Sequence, residues 1–180
     1  SYYAMFYRSD ILEELGIEIP KTWDEFIGAT TILQRNNMSV CMPYTKITTA
    51  GTVNTGLGGL NLFSTFLMQN NVSIYDEGLT ETLLDSSDSI NIFTYWSDFY
   101  TKYKLPTVMD FYNRLRLGTA PLGITNYTTY TTLLAAAPEI EDKWGIAEIP
   151  GFMDQNGQIN NSVSGSGTGC VILNQSKHKK

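Results

Sequence analysis

Histidine is nearly missing: His178, close to the end of the 180 residues, is the only one. A Ser-His-Asp triad or a histidine-bearing metal centre has no raw material in the body of the chain. Cysteine is scarce too. Cys41 and Cys170 are too few for a disulfide framework and have no ligand-like neighbours at zinc spacing. Each lies in an apolar run, so free, buried thiols are expected. Charged residues make up only 17%, with a net charge of −6. That excess of acid excludes the basic face with which nucleic-acid binders displace counterions, and it disfavours an anionic membrane surface. No apolar run approaches the roughly 20 residues that a bilayer-spanning helix needs.

What is present is 42% hydrophobic, with 11 tyrosines. Such a composition folds around a real core. Strand and helix signals alternate along the chain, which predicts an α/β fold. Residues 2–7 fit a buried strand. Asp10 with Glu13, and Thr22 with Glu25, fit capping boxes opening two helices, the first closed by Gly16. On the second, Trp23, Phe26, Ile27, Thr30 and Leu33 share a face at helical spacing. Residues 39–44 read as a strand and 45–59 as a long Thr- and Gly-rich loop. Helices follow around Leu60, Phe63, Phe66 and Leu67, and from 85–88 onward through Ile92, Phe93, Trp96, Phe99, Tyr100 and Tyr103. A turn at Asp76-Glu77-Gly78 separates them. Residues 144–149 alternate like a strand with one exposed face, a turn region carries Asn156-Gly157, and 169–173 read as a last strand. Trp23, Trp96 and Trp144 are assigned to packing by their periodicity.

The stretch 113–130 is the one the rest serves. A basic segment stops at Gly118, and Ala120-Pro-Leu-Gly-Ile124 then reads as a buried strand. Asn126 follows as a helix N-cap, with Tyr127 and Tyr130 just beyond. Open α/β proteins place ligands outside the carboxyl ends of such strands. Carboxylates occur as neighbours (Glu13-Glu14, Asp76-Glu77, Glu139 with Glu141-Asp142), but a glycosidase pair must converge from separate elements. Gly165-Ser-Gly-Thr-Gly169 matches no nucleotide fingerprint. The irregular segments are rich in Asn, Thr, Ser, Gly and Tyr. Sugars suit such surfaces, because hydroxyls need neutral donors and acceptors and C–H faces stack on flat rings.

Four segments, in order, resemble the extracellular solute-binding proteins of ABC sugar importers, the class (family 1) that includes maltose-binding protein. They are Met5-Phe-Tyr-Arg-Ser-Asp-Ile-Leu-Glu-Glu-Leu-Gly16 with Pro20-Lys-Thr-Trp-Asp-Glu-Phe26; Tyr112-Asn-Arg through Gly118-Thr-Ala-Pro-Leu-Gly-Ile124; Trp144-Gly-Ile-Ala-Glu-Ile-Pro-Gly151; and Gly165-Ser-Gly-Thr-Gly with Ser176-Lys-His-Lys. In the second, Pro121 and Leu122 stand where the family usually has Ala-Met. The resemblance implies one lobe of a two-lobed periplasmic-binding-protein-like fold, a central mixed sheet flanked by helices, residues 1–180 being mostly the C-terminal lobe with a hinge strand near 1–8. The N-terminal lobe and final helices would lie outside it. It implies non-catalytic binding of a sugar or oligosaccharide, without cofactor or metal, and delivery to ABC permease subunits. The full-length protein would be a monomer, lipid-anchored on the outer face of the bacterial cytoplasmic membrane or periplasmic. Carried onto this sequence, cleft positions fall on Asn126, Tyr127 and Tyr130, on Tyr44, Thr45 and Asn54, and on Ser166, Gly167 and Thr168. The family often has Trp near the first group; this chain has none there, so stacking rests on tyrosine. Two alternatives stay open. One is a lobe for a peptide or other non-sugar ligand, which Arg114 and Arg116 would serve. The other is a carboxylate-based glycan-processing domain.

Overall fold

The computed structural model of the chain describes residues 2–43, 48–49, 52–53, 58–165 and 170–176. The main sheet has the order β2-β5-β1-β6, built from β1 (Tyr3–Arg8), β2 (Val40–Cys41), β5 (Leu122–Asn126) and β6 (Trp144–Ala147). β5 runs parallel to β2 and antiparallel to β1, and β6 is again antiparallel to β1. The carboxyl ends of β2, β5 and β6 therefore share one edge of the sheet with the amino end of β1, where Tyr3 pairs with Asn126.

Side chains alternate across this sheet with the period of two that the pleat imposes. Met5, Leu122 and Ile124 face one core, under α2 (Trp23–Arg35), α3 (Gly58–Gln69) and α4 (Ser87–Thr101). Ala4, Phe6 and Cys41 face a second core with Phe111 and Leu115 of α5 (Phe111–Arg116) and Leu133 of α6 (Thr129–Ala136). Gly123 is what lets α5 lie so close. A Cβ there would sit 2.6 Å from Cys41 Cβ and 2.6 Å from a Phe111 ring carbon. Gly118, at φ +72°, ends α5 in the left-handed conformation that glycine adopts cheaply.

The second capping box is formed as expected: the Glu25 amide donates to Thr22 Oγ1 and the Thr22 amide to Glu25 Oε2. The first is not. α1 (Ser9–Glu14) starts after Arg8 with no side-chain cap, because Asp10 is engaged elsewhere. Arg8, 8% exposed, donates two bonds to the Asp10 carboxylate, at 2.8 and 2.6 Å. Its Nη1 also donates to the carbonyls of Leu115 and Arg116, at 3.1 Å each. One guanidinium thus closes the end of α5 and fixes the start of α1. The Arg8 bonds, and after them its charge, hold the Asp10 carboxyl below the usual carboxylate range. A depressed folded-state pKa contributes stability above the unfolded value, near 4, and that contribution is lost as pH falls through the folded value. Asp10→Asn should therefore lower the unfolding free energy from urea titration at pH 7, by less than about 1 kcal/mol for so exposed a carboxylate. The gap to the parent chain should close progressively below about pH 4.

Four other expectations change. The strand foreseen over 39–44 pairs only at Val40–Cys41. Within 45–59, foreseen as loop, β3 (Thr48–Thr49) pairs with β4 (Thr52–Val53), consistent with β-branched residues, and α3 opens at Gly58. The run expected as a last strand is in no strand over 170–173. A strand needs a ladder partner, and none of the described strands pairs with it. Cys170 is consequently exposed, whereas Cys41 is buried as expected. A two-stranded hairpin, β7 (Phe152–Met153) and β8 (Ile159–Asn160), flanks the Asn156-Gly157 turn. Trp23 and Trp96 are core residues, at 1% and 9% exposure, and Trp144 is half-buried against Phe6.

Candidate functional site

From the edge where β2, β5 and β6 end, a ladder of four rings runs back over the second core to Trp144, at the amino end of β6. Tyr2 stacks on Tyr127 with centroids 4.9 Å apart and planes at 22°. Tyr127 stacks on Tyr130 at 5.6 Å and 17°, and Tyr130 meets Trp144 edge-on at 5.9 Å. Tyr127 is placed there by backbone as well, its amide donating to the Tyr2 carbonyl at 2.9 Å. Tyr127 and Tyr130, the latter in the first turn of α6, are half-buried and pack in part against the second core.

Beside the ladder lies a cavity of about 460 Å³, lined by Tyr2, Tyr3, Ala4, Tyr127 and residues 146–149 and 161–163. Three of these carry polar chemistry that the sequence did not single out. Tyr2 is 46% exposed. Glu148 follows β6, and its Oε2 accepts a 2.6 Å bond from Asn161 Nδ2. Glu148 and Asn161 come from segments separated by the β7–β8 hairpin, so only the fold brings them together. The usable sequence signal was the lone acid at the end of an alternating strand.

Asn126 ends β5, but it does not cap the helix. Its Oδ1 accepts from the Thr128 amide and hydroxyl, at 3.1 and 3.2 Å. α6 starts only at Thr129, after Thr128. An Asn side chain that satisfies the backbone two residues on makes an Asx turn, and here that turn aims the Tyr127–Tyr130 pair. Tyr44, Thr45, Asn54, Ser166, Gly167 and Thr168 lie outside the described residues.

The alternatives lose their local support. Arg114 and Arg116 belong to α5, which leads into the amino end of β5. They are therefore the length of that strand, roughly 15 Å at about 3.3 Å per residue, from the ladder edge. Arg116 is also paired with Glu139 and sits over the Tyr112 ring. The described cavity lining offers a single carboxylate, Glu148, where glycoside hydrolysis calls on two. Among the described residues no group of three or more His, Cys, Asp and Glu could hold a metal ion, and no helix is long and apolar enough to cross a membrane.

The sequence pattern of the family described as bacterial extracellular solute-binding protein matches residues 1–180. The chain belongs to that family. A solute-binding relative, the putative ABC transporter periplasmic-binding protein YcjN of Escherichia coli K12, is 29% identical over 132 residues, 71% of this chain and 28% of its own length. Two solved solute-binding structures share the fold. One is an ABC transporter solute-binding protein of Thermotoga lettingae bound with α-D-tagatose, with TM-score 0.65 and 20% identity, covering 83% of this chain and 39% of that one. The other is maltose-bound MalE3 of T. maritima, with TM-score 0.66 and 21% identity, covering 88% and 40%. The chain thus spans less than half the length of each. The family binds solutes rather than transforming them.

Proposed function

We propose that residues 1–180 form the C-terminal lobe of a two-lobed solute-binding protein that captures a sugar or oligosaccharide for an ABC importer. β1 would serve as the strand nearest the hinge. The protein would work as a monomer outside the cytoplasmic membrane, lipid-anchored or periplasmic, handing its ligand to the permease subunits. The observation that carries this reading is the tyrosine ladder along the cavity at the carboxyl edge of the sheet. Tyr2, the exposed end of the stack, has a flat apolar face suited to sugar C–H groups, Tyr127 backs it, and the phenol hydroxyls can donate and accept. The tagatose and maltose held by the two solved relatives support the ligand class.

Closure of two lobes over a ligand supplies contacts from both sides. In calorimetry, the two-lobed protein should bind a neutral mono- or oligosaccharide, and residues 1–180 alone should bind it at least roughly a hundredfold more weakly. Tyr127→Ala in the two-lobed protein should weaken binding about tenfold, the equivalent of one lost ring contact. Equal affinity of the lobe alone, or an unaffected Tyr127→Ala variant, would overturn the reading.

A further inference from the structure

We infer that Glu148 sets the ligand class at this lip. It anchors a hydroxyl of a neutral saccharide and turns away saccharides that carry a carboxylate or a phosphate. This rests on the sugar-binding reading above.

Glu148 is the only charged residue among the described residues lining the cavity. Its two oxygens are not equivalent. Oε2 accepts from Asn161 Nδ2 at 2.6 Å, a bond that fixes the carboxylate plane. Oε1 has no donor among the described residues. A carboxylate held by one oxygen, with the other open beside a cavity, is an acceptor already oriented for a hydroxyl donor. Sugar hydroxyls supply such donors, and a bond from a hydroxyl to an ionised acceptor is stronger than one between neutral groups. The same charge repels an anion a few ångströms away, and the repulsion grows as lobe closure expels water. No cation is among the described residues that line the cavity. Arg114 and Arg116 lie by the opposite edge of the sheet, and Arg8 ends β1 at that same far edge with its guanidinium on Asp10. The chain as a whole is acidic, at −6, so the wider field has the same sign.

The test is a thermal-shift panel on the two-lobed protein with matched pairs: glucose and glucuronate, galactose and galacturonate, mannose and mannuronate, maltose and a maltose phosphate, and longer neutral maltooligosaccharides. Stabilisation should come only from neutral members, and calorimetry then gives the affinity of the best pair. Glu148→Gln keeps an acceptor without the charge and is exposed, so the fold should survive. It should weaken the neutral ligand roughly tenfold and raise the relative affinity of the anionic counterpart at least tenfold. Asn161→Ala keeps the charge and frees the carboxylate, so it should weaken the neutral ligand while anions stay excluded. Preference for a uronate or phosphate by the parent protein, or an unchanged neutral-to-anion ratio in Glu148→Gln, would overturn the role of Glu148 and leave sugar binding standing. If no member of the panel stabilised the protein, the sugar reading itself would fall and the filter with it.

Discussion

Trp23→Ala should be the most damaging single substitution in the chain, costing about 3–5 kcal/mol. Trp23 is 1% exposed and stands at the first turn of α2. Its ring lies within 4.5 Å of Phe66, 5.8 Å of Phe26 and 5.9 Å of Phe99, measured between centroids, and 6.3 Å from Phe152. Three helices and the β7–β8 hairpin therefore meet on one indole. Removing it leaves a cavity that rigid helices cannot refill by a small shift. Domains have only about 5–15 kcal/mol of stability in all. The melting temperature should drop by roughly 10 °C or more, and urea titration should show a lower midpoint with the slope little changed. A loss below about 1 kcal/mol would mean that the packing around Trp23 is not as described.

Gln69→Leu should cost nearly as much, about 3 kcal/mol or more, although it replaces a polar group by an apolar one of similar size. Gln69 is 2% exposed and makes three side-chain bonds. Its Oε1 accepts from Trp23 Nε1 at 2.8 Å, and its Nε2 donates to the carbonyls of Pro150 and Ser162, at 3.2 and 3.1 Å. Leucine would strand all three partners, and an unsatisfied buried group costs about 1–3 kcal/mol. The damage should reach the cavity wall, since Ser162 lines it. Amide exchange should accelerate around 161–163 before it does in α2. Trp23→Phe removes the indole donor, so the pair Trp23→Phe and Gln69→Leu should be less costly together than their sum, by about 0.5 kcal/mol or more. Additive effects would deny the bond between them.

Local chemistry was legible in the sequence, while its meeting points were not. Thr22 with Glu25, and the helical spacing of Trp23, Phe26 and Leu33, state a cap and a buried face within a dozen residues, and both are there. Leu122, Gly123 and Ile124 read correctly as a buried strand for the same reason. Asp10 and Asn126 looked like caps because their residue types suit caps. Each formed a different bond once its surroundings were present, Asp10 to Arg8 and Asn126 to Thr128. Residues 170–173 have strand composition, but pairing is a property of two segments. The same holds at the lip. Tyr127 and Tyr130 stood out as neighbours in one loop, whereas Tyr2, Glu148 and Asn161 gather from three separate segments.

The place of β1 also bears on how the chain assembles. It is the first strand in sequence, yet it lies inside the sheet, and its ladders wait for residues 122–126 and 144–147. Ala4, Met5 and Phe6 are made long before either partner strand, so both ladders of β1 depend on distant sequence. Such long-range pairing is slow to form and leaves the nascent chain open to association with other chains. Ribosome-bound chains ending before residue 122 should therefore be protease-sensitive throughout β1.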